Sequence, residues 1–256
     1  MQKKFKMEEC KPTSTPMNQK EKFCKEDGVG KVYEGLYRSM IGCLMYLIAT
    51  RPDIIHVVSL LLRYMYCASE IHFQATKRVI RYVLGTVDYG IKFSQVQSFN
   101  FMDFLIVIGL VVLTIQEVLQ AIVLALVLVF FFSWSSKKQE VVAQSTTEAE
   151  YIVVVATINQ ALWLRKLLTD LDMKQEVSTQ VFIDNQATIS IANDPFFHGK
   201  TKHFKIKLYF LREVQKEGDI QLVYCNTESQ NADILTKALP RIRFEFLQER
   251  LGVCSS

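Results

Sequence analysis

The stretch STQVFIDNQATISIAND, Ser178 to Asp194, decides the fold class. An apolar run, Val181 to Ile183, stops at Asp184, and Asn185 turns the chain into a segment with helical spacing. That is a short buried strand with an acid at its C-terminal end. Upstream, STTEAEYIVVVATINQALWLRKLLTDLD has the pattern of a long helix, and SWSSKKQEVVAQS before it reads as a strand running into a turn. Ser145 and Glu148 have capping-box spacing, which sets Glu148 in the first helical turn. Downstream come a basic segment that ends as a helix, HGKTKHFKIKLYFLREVQKEG, a strand, DIQLVYCNT, and terminal helices in ESQNADILTKALPRIRFEFLQERLG. Strands alternating with helices define an α/β architecture.

Further out, residues 32–100 begin as a helical unit. VYEGLYRSMIGCLMYLIAT has apolar groups at three and four spacing, and RPDIIHVVSLLLRYMYC restarts with Pro52 suited to a first turn. EIHFQATKRVIRYVLG follows, with Gly85 where a C-terminal cap belongs. Residues 1–31 are rich in Lys, Glu, Pro, Ser and Thr, which predicts a flexible tail. That tail has no apolar core of the kind a signal peptide needs. The chain has 256 residues, half of them apolar, enough for one large domain or two small ones. A net charge of +4 permits a polyanionic partner without arguing for one. The six cysteines are scattered with no CxxC pair, which predicts reduced thiols in an intracellular protein.

Three acids sit at element ends rather than in solvated runs: Glu148, Asp184 and Asp233. Strand C-termini and helix starts on one side of an α/β sheet converge on a crevice, where carboxylates can share a hard cation such as Mg²⁺. Hydrolysis of a phosphodiester is the chemistry that uses such a cluster. Each acid also has an ordinary reading: Glu148 as a cap, Asp184 as a turn former, Asp233 as a helix-surface acid. Lys200, Lys202, Lys205 and Lys207 could track a phosphate backbone or form a solvated face. His198 and His203 lack a ligand pattern, and Trp134 and Trp163 read as core residues.

Several ordered motifs together resemble the C-terminal end of a copia-type retrotransposon Pol polyprotein. They are YRSMIGCLMYLIATRPDI, KRVIRYVLGT, FSWSSKKQEVVAQSTTEAEY, IDNQATISIAND, HGKTKHFKIK and QNADILTKALPRIRFE. The resemblance implies that 32–100 ends a reverse-transcriptase region whose catalytic aspartates lie upstream, and that the α/β part is a ribonuclease H domain cutting RNA in RNA–DNA hybrids. On that reading the chain is a fragment of a longer polyprotein. The resemblance also implies a five-stranded mixed sheet with flanking helices, Mg²⁺ as cofactor, and Glu148, Asp184 and Asp233 as catalytic, metal-binding acids. Lys200, Lys202, Lys205 and Lys207 would then contact the hybrid, in a cytoplasmic or nuclear protein. No small-molecule substrate is indicated.

The family's first acid belongs to a first-strand motif of the kind GFSDSDWAG, and no such motif exists here. In its place stands DFLIVIGLVVLTIQEVLQAIVLALVLVFFFSW, Asp103 to Trp134. Shifted by one base, its permitted codons read as the missing motif. Val107 with Ile108, as GTG and ATT, contain GAT for Asp; Ile108 with Gly109 give TGG for Trp; Gly109 with Leu110 give GCT for Ala. The same offset continues in the family's pattern, so residues 101–132 read as a frameshifted version of the ribonuclease H N-terminal strands, restored near the Phe130 to Phe132 run. Codons unable to yield SDSDWAG in another frame would sink this reading. The expected fold is thus a ribonuclease H-like mixed sheet with flanking helices, its first strands replaced by an apolar helical segment, with 133–256 as the ribonuclease H-like remainder and no activity as written. The alternative is a non-catalytic protein anchored in a membrane through 104–134, since hydropathy alone would place that segment in a bilayer. A residual hybrid-binding module using Lys200 to Lys207 is the third reading.

Overall fold

The computed structural model describes residues 2–5, 7, 9–92, 104–114, 117–126, 130–138, 146–193 and 202–255. It gives the backbone alone for 2, 3, 104–114, 117–126, 130–138, 146–149, 187, 191, 193 and 202–205. The chain divides into two compact units, Met1–Lys92 with Lys237–Ser256, and Phe93–Thr236.

In the first unit a short helix α1 (Gln2–Phe5) precedes a strap, and then come α2 (Glu34–Leu47), α3 (Ile55–Leu62) and α4 (Glu70–Gly85). Pro52 opens a 3-10 turn, Pro52–Ile54, that runs into α3, because its fixed φ and missing N–H suit a first turn. Tyr37, Met40, Ile41, Leu44, Leu61, Val79 and Ile80 fill the core, each removing about 1.5–3 kcal/mol worth of apolar side chain from water. Strand β1 (Tyr89–Ile91) pairs antiparallel with the C-terminal strand β7 (Val253–Ser255). Helix α8 (Arg241–Arg250) belongs to this unit too, with Phe244 edge-on to Tyr82 at 5.7 Å.

The described part of 1–31, expected as a flexible tail, buries Met7, Thr15, Pro16 and Met17 and hydrogen-bonds to the helices. Tyr64 donates a hydrogen bond to Phe23 O at 3.0 Å, Ser69 Oγ donates to the Asp27 carboxylate, and Glu70 N donates to Gly30 O at 3.0 Å. The Ser69 bond holds the Asp27 carboxyl below its ordinary range. Hydrogen bonds to the ends of α4, which composition does not register, hold part of this segment. Gly85 likewise serves a close approach: a Cβ there would lie 2.8 Å from Pro12 Cβ, and the helix cap falls on Thr86.

A buried polar network ties α8 to the Arg51–Asp53 turn and to the end of α4. Arg51 donates to both Asp53 oxygens, from Nε at 3.0 Å and Nη2 at 2.7 Å, and from Nη1 to Thr86 O at 2.9 Å. Asp53 Oδ2 also accepts from Tyr82 OH at 2.5 Å and from Gln248 Nε2 at 2.9 Å. Burial opposes the Arg51 charge, but the Asp53 hydrogen bond and charge hold its pKa above the ordinary value. Burial and then the Asp53 charge push the Tyr82 hydroxyl far upward.

The second unit is a five-stranded mixed sheet in the order β4-β3-β2-β5-β6. Strands β2 (Phe104–Thr114), β3 (Glu117–Leu126) and β4 (Phe130–Lys138) form an antiparallel meander. Strand β5 (Thr179–Ile183) runs parallel to β2, with Leu105 opposite Gln180 and Val107 opposite Phe182. Strand β6 (Ile220–Tyr224) runs parallel to β5. Helices α5 (Thr146–Asp170), α6 (Gln186–Asn193) and α7 (Lys202–Glu217) flank the sheet, and α5 lies against β2 and β3.

The described parts of the apolar segment are therefore strand, which corrects the expectation of a helical segment there. A central strand covered on both faces reads as one continuous apolar run, so hydropathy cannot separate it from a membrane span. The β-branched content of β2, with Ile106, Val107, Ile108, Val111, Val112 and Thr114, is the discriminating signal. Among the described residues one helical stretch, Glu150–Asp170, is long and apolar enough to cross a membrane, and 50% of its apolar window is buried in the fold. Tyr151, Val153, Val154, Ile158 and Ala161 of α5 join Val181 and Ile183 of β5 and Leu208 and Leu211 of α7 in the core. Trp163 is 60% exposed, which corrects its reading as a core residue. The cysteines are free thiols.

Candidate functional site

Strand β5 ends where its hydrogen-bonding ladder ends, and Asp184 follows at once as a half-buried bend residue. Cys225 stands beside that end, its N–H donating to Ile183 O at 2.9 Å. From the other side comes a five-residue 3-10 helix, Asn231–Leu235, which lies against β2 and β3 and buries Asp233 to 2% exposure. Gln230 caps it by accepting from Ala232 N, and donates to Cys225 Sγ at 3.4 Å. Burial, then the charges of Asp184 and Asp233, push the Cys225 thiol up to about 11. Two of the three acids singled out in the sequence therefore act on one thiol at the C-terminal ends of β5 and β6, where open α/β sheets gather ligands.

On α5 the described carboxylate that interacts with Asp184 is Glu150. Thr188 Oγ1 donates to Glu150 Oε2 at 2.8 Å, and Asn185 Nδ2 donates to the same oxygen. Burial raises the Glu150 pKa, the bonds from Thr188 and Asn185 lower it, and the Asp184 charge raises it again, for a net upward shift. Two like charges so placed favour a shared cation, and every donor is a hard oxygen. Glu148 lies in the first turn of α5, with its side chain outside the described residues, as are Ser145 and Asp103.

The first-strand position is empty of acid. Strand β2, beside β5, reads FLIVIGLVVLT and contains neither Asp nor Glu. Among the described residues no group of three or more His, Cys, Asp and Glu could hold a metal ion as it stands. The lysine set lies along the start of α7: Lys202 and Lys205 are placed by backbone, Lys207 is half-buried, and Lys200 and His198 lie outside the described residues.

This is a mixed α/β unit that gathers carboxylates at the C-terminal edge of its parallel strands. No family model matches the chain. It is 31% identical over 95% of its length to the Retrovirus-related Pol polyprotein from transposon RE2 of Arabidopsis thaliana. It is 32% identical over 95% to the Pol polyprotein from transposon RE1 of the same plant, and 30% identical over 99% to that from transposon TNT 1-94 of Nicotiana tabacum. The chain belongs to the retrovirus-related Pol polyproteins of copia-type transposons. It spans 17%, 16% and 19% of the length of these three relatives.

Proposed function

We propose that the second unit is a ribonuclease H-like domain, built to hydrolyse the RNA strand of an RNA–DNA hybrid, and that the chain as written lacks this activity. The first unit is read as the end of a reverse-transcriptase region. The observation that carries the proposal is that Asp184, after β5, acts electrostatically on both Glu150 of α5 and Cys225, on which Asp233 of the 3-10 helix also acts, while β2, adjacent to β5, offers no acid. The five-stranded order and the family support it.

In this reading Glu150, Asp184 and Asp233 would hold Mg²⁺, with Glu148 the other candidate on α5. When bound, Mg²⁺ supplies positive charge at the attacking and leaving oxygens of the phosphodiester. Thr188 and Asn185 orient Glu150 by engaging Oε2, which leaves Oε1 free to ligate. The missing fourth acid comes from the proposed frameshift over 101–132, whose out-of-frame product is apolar and β-branched enough to pair as strands without supplying a carboxylate. Lys202, Lys205 and Lys207, with Lys200, would meet the hybrid's phosphates, so any binding should weaken steeply with salt.

The test is to restore the reading frame over 101–132 so that SDSDWAG returns. The restored chain should cleave hybrid with Mg²⁺, and Glu150→Gln should abolish cleavage while Glu148→Gln should retain it. A folded, restored chain that cleaves nothing sinks the functional reading. The opposite pattern in the two glutamate variants returns the role to Glu148.

A further inference from the structure

We infer, resting on the ribonuclease H-like reading, that Gln230 is a positioning residue for the acidic edge of the second unit. Its side chain ties the 3-10 helix that carries Asp233 to the strand end that precedes Asp184, so that the two carboxylates share one cation.

Gln230 is fully buried, and both ends of its amide are used. Ala232 N can only donate, so the amide atom facing it at 3.4 Å is Oε1, and Nε2 is left to donate to Cys225 Sγ at 3.4 Å. The main-chain carbonyl of Gln230 adds a third contact, accepting from Asp233 N at 3.3 Å. Cys225 in turn donates its N–H to Ile183 O at 2.9 Å, and Asp184 is the next residue. A continuous chain of bonds thus runs from the residue before Asp184, through Cys225 and Gln230, to the backbone of Asp233. The charges of both acids reach the Cys225 thiol, the group that Gln230 grips.

Capping alone does not call for glutamine. Asn, Asp, Ser and Thr are the favoured caps, because a short side chain reaches the first free N–H groups of a helix. The extra methylene of Gln230 turns one end of the amide to Ala232 and the other to Cys225. Mg²⁺ is commonly held by one or two carboxylates with water in the remaining positions, so the spacing of two acids sets its affinity. Residues that orient ligands without touching the metal change its affinity by about 10–100-fold.

Mg²⁺ titrated into the full chain as written, followed by the carboxyl carbon NMR shifts of Asp184 and Asp233, should move both signals with one midpoint. Gln230→Asn keeps an amide that can cap Ala232 and loses the reach to Cys225. It should melt like the wild type and raise the shared midpoint by about tenfold or more. Cys225→Ala, which removes the sulfur at the other end, should do the same, and Cys225→Ser, which restores an acceptor, should return the midpoint towards the wild-type value. Different midpoints for the two acids in the unvaried chain, no shift at either, or an unchanged midpoint in Gln230→Asn would each overturn the inference. Failure of the ribonuclease H-like reading shows separately, as a frame-restored chain that folds and cleaves nothing while the two acids still share a Mg²⁺ midpoint.

Discussion

Replacing Asp53 by alanine should remove most of the stability of the first unit. The Arg51 and Asp53 side chains are 6% and 0% exposed, so the pair lies out of water. Deleting one partner of a buried pair costs about 3–5 kcal/mol, because the other charge stays behind unpaired. Tyr82 OH, which donates to Asp53 Oδ2, also loses its acceptor, for about 1–3 kcal/mol more. The guanidinium already lies 5.5 Å from the Tyr82 ring, so that contact offers no new compensation. A total of roughly 4–8 kcal/mol compares with the 5–15 kcal/mol that holds a typical domain together. Urea unfolding followed by far-UV circular dichroism measures the loss, and hydrogen exchange over residues 34–92 locates it. The double change Arg51→Met with Asp53→Leu leaves no stranded charge and should be more stable than Asp53→Ala. A loss under about 1 kcal/mol for Asp53→Ala, or a double variant no better than the single, would refute the assignment of this network as a buried, interdependent unit.

Three further outcomes follow from local geometry. Glu150→Gln should stabilise the second unit at neutral pH by no more than about 1 kcal/mol, since Glu150 is partly exposed and its burial penalty is screened. The sign is set by linkage: its folded pKa lies above the ordinary 4.5, so wild-type stability is full below 4.5 and declines as pH rises towards the folded value. The variant should lack that decline in thermal melts across the window. Gly85→Ala should destabilise by about 1–2 kcal/mol despite better helix propensity, because the new Cβ meets Pro12 at 2.8 Å, and exchange protection over the strap should fall. Asp172 closes α5 at φ 58°, with Met173 N donating to Leu168 O at 2.8 Å, so Asp172→Gly should raise the melting free energy by about 0.5–1 kcal/mol.

Much of the second unit was legible because its signals are local. The Val181 to Ile183 run, the long periodicity ending at Asp170 and the acid after β5 each depend on neighbours in sequence. Residues 104–138 misled because a central strand and a membrane span share one hydropathy signature, and only β-branching tells them apart. The neighbourhood of Glu150 was not legible, because which face of α5 meets Asn185 and Thr188 is set by packing and not by spacing. The contacts of the strap and of α8 were not legible for a different reason. Their places depend on long-range polar contacts, Ser69 with Asp27 and Gln248 with Asp53, which leave no periodic trace in sequence. Trp163 shows the converse, a large apolar residue whose exposure no local pattern announces.

The central claim is that a hybrid-cleaving framework persists here without its first-strand acid. Incubating the chain as written with a labelled RNA–DNA hybrid and Mg²⁺, beside the chain with its frame restored over 101–132, tests this directly. The account predicts intact RNA with the first and cleaved RNA with the second. Cleavage by the chain as written, abolished by Asp184→Asn, would contradict it.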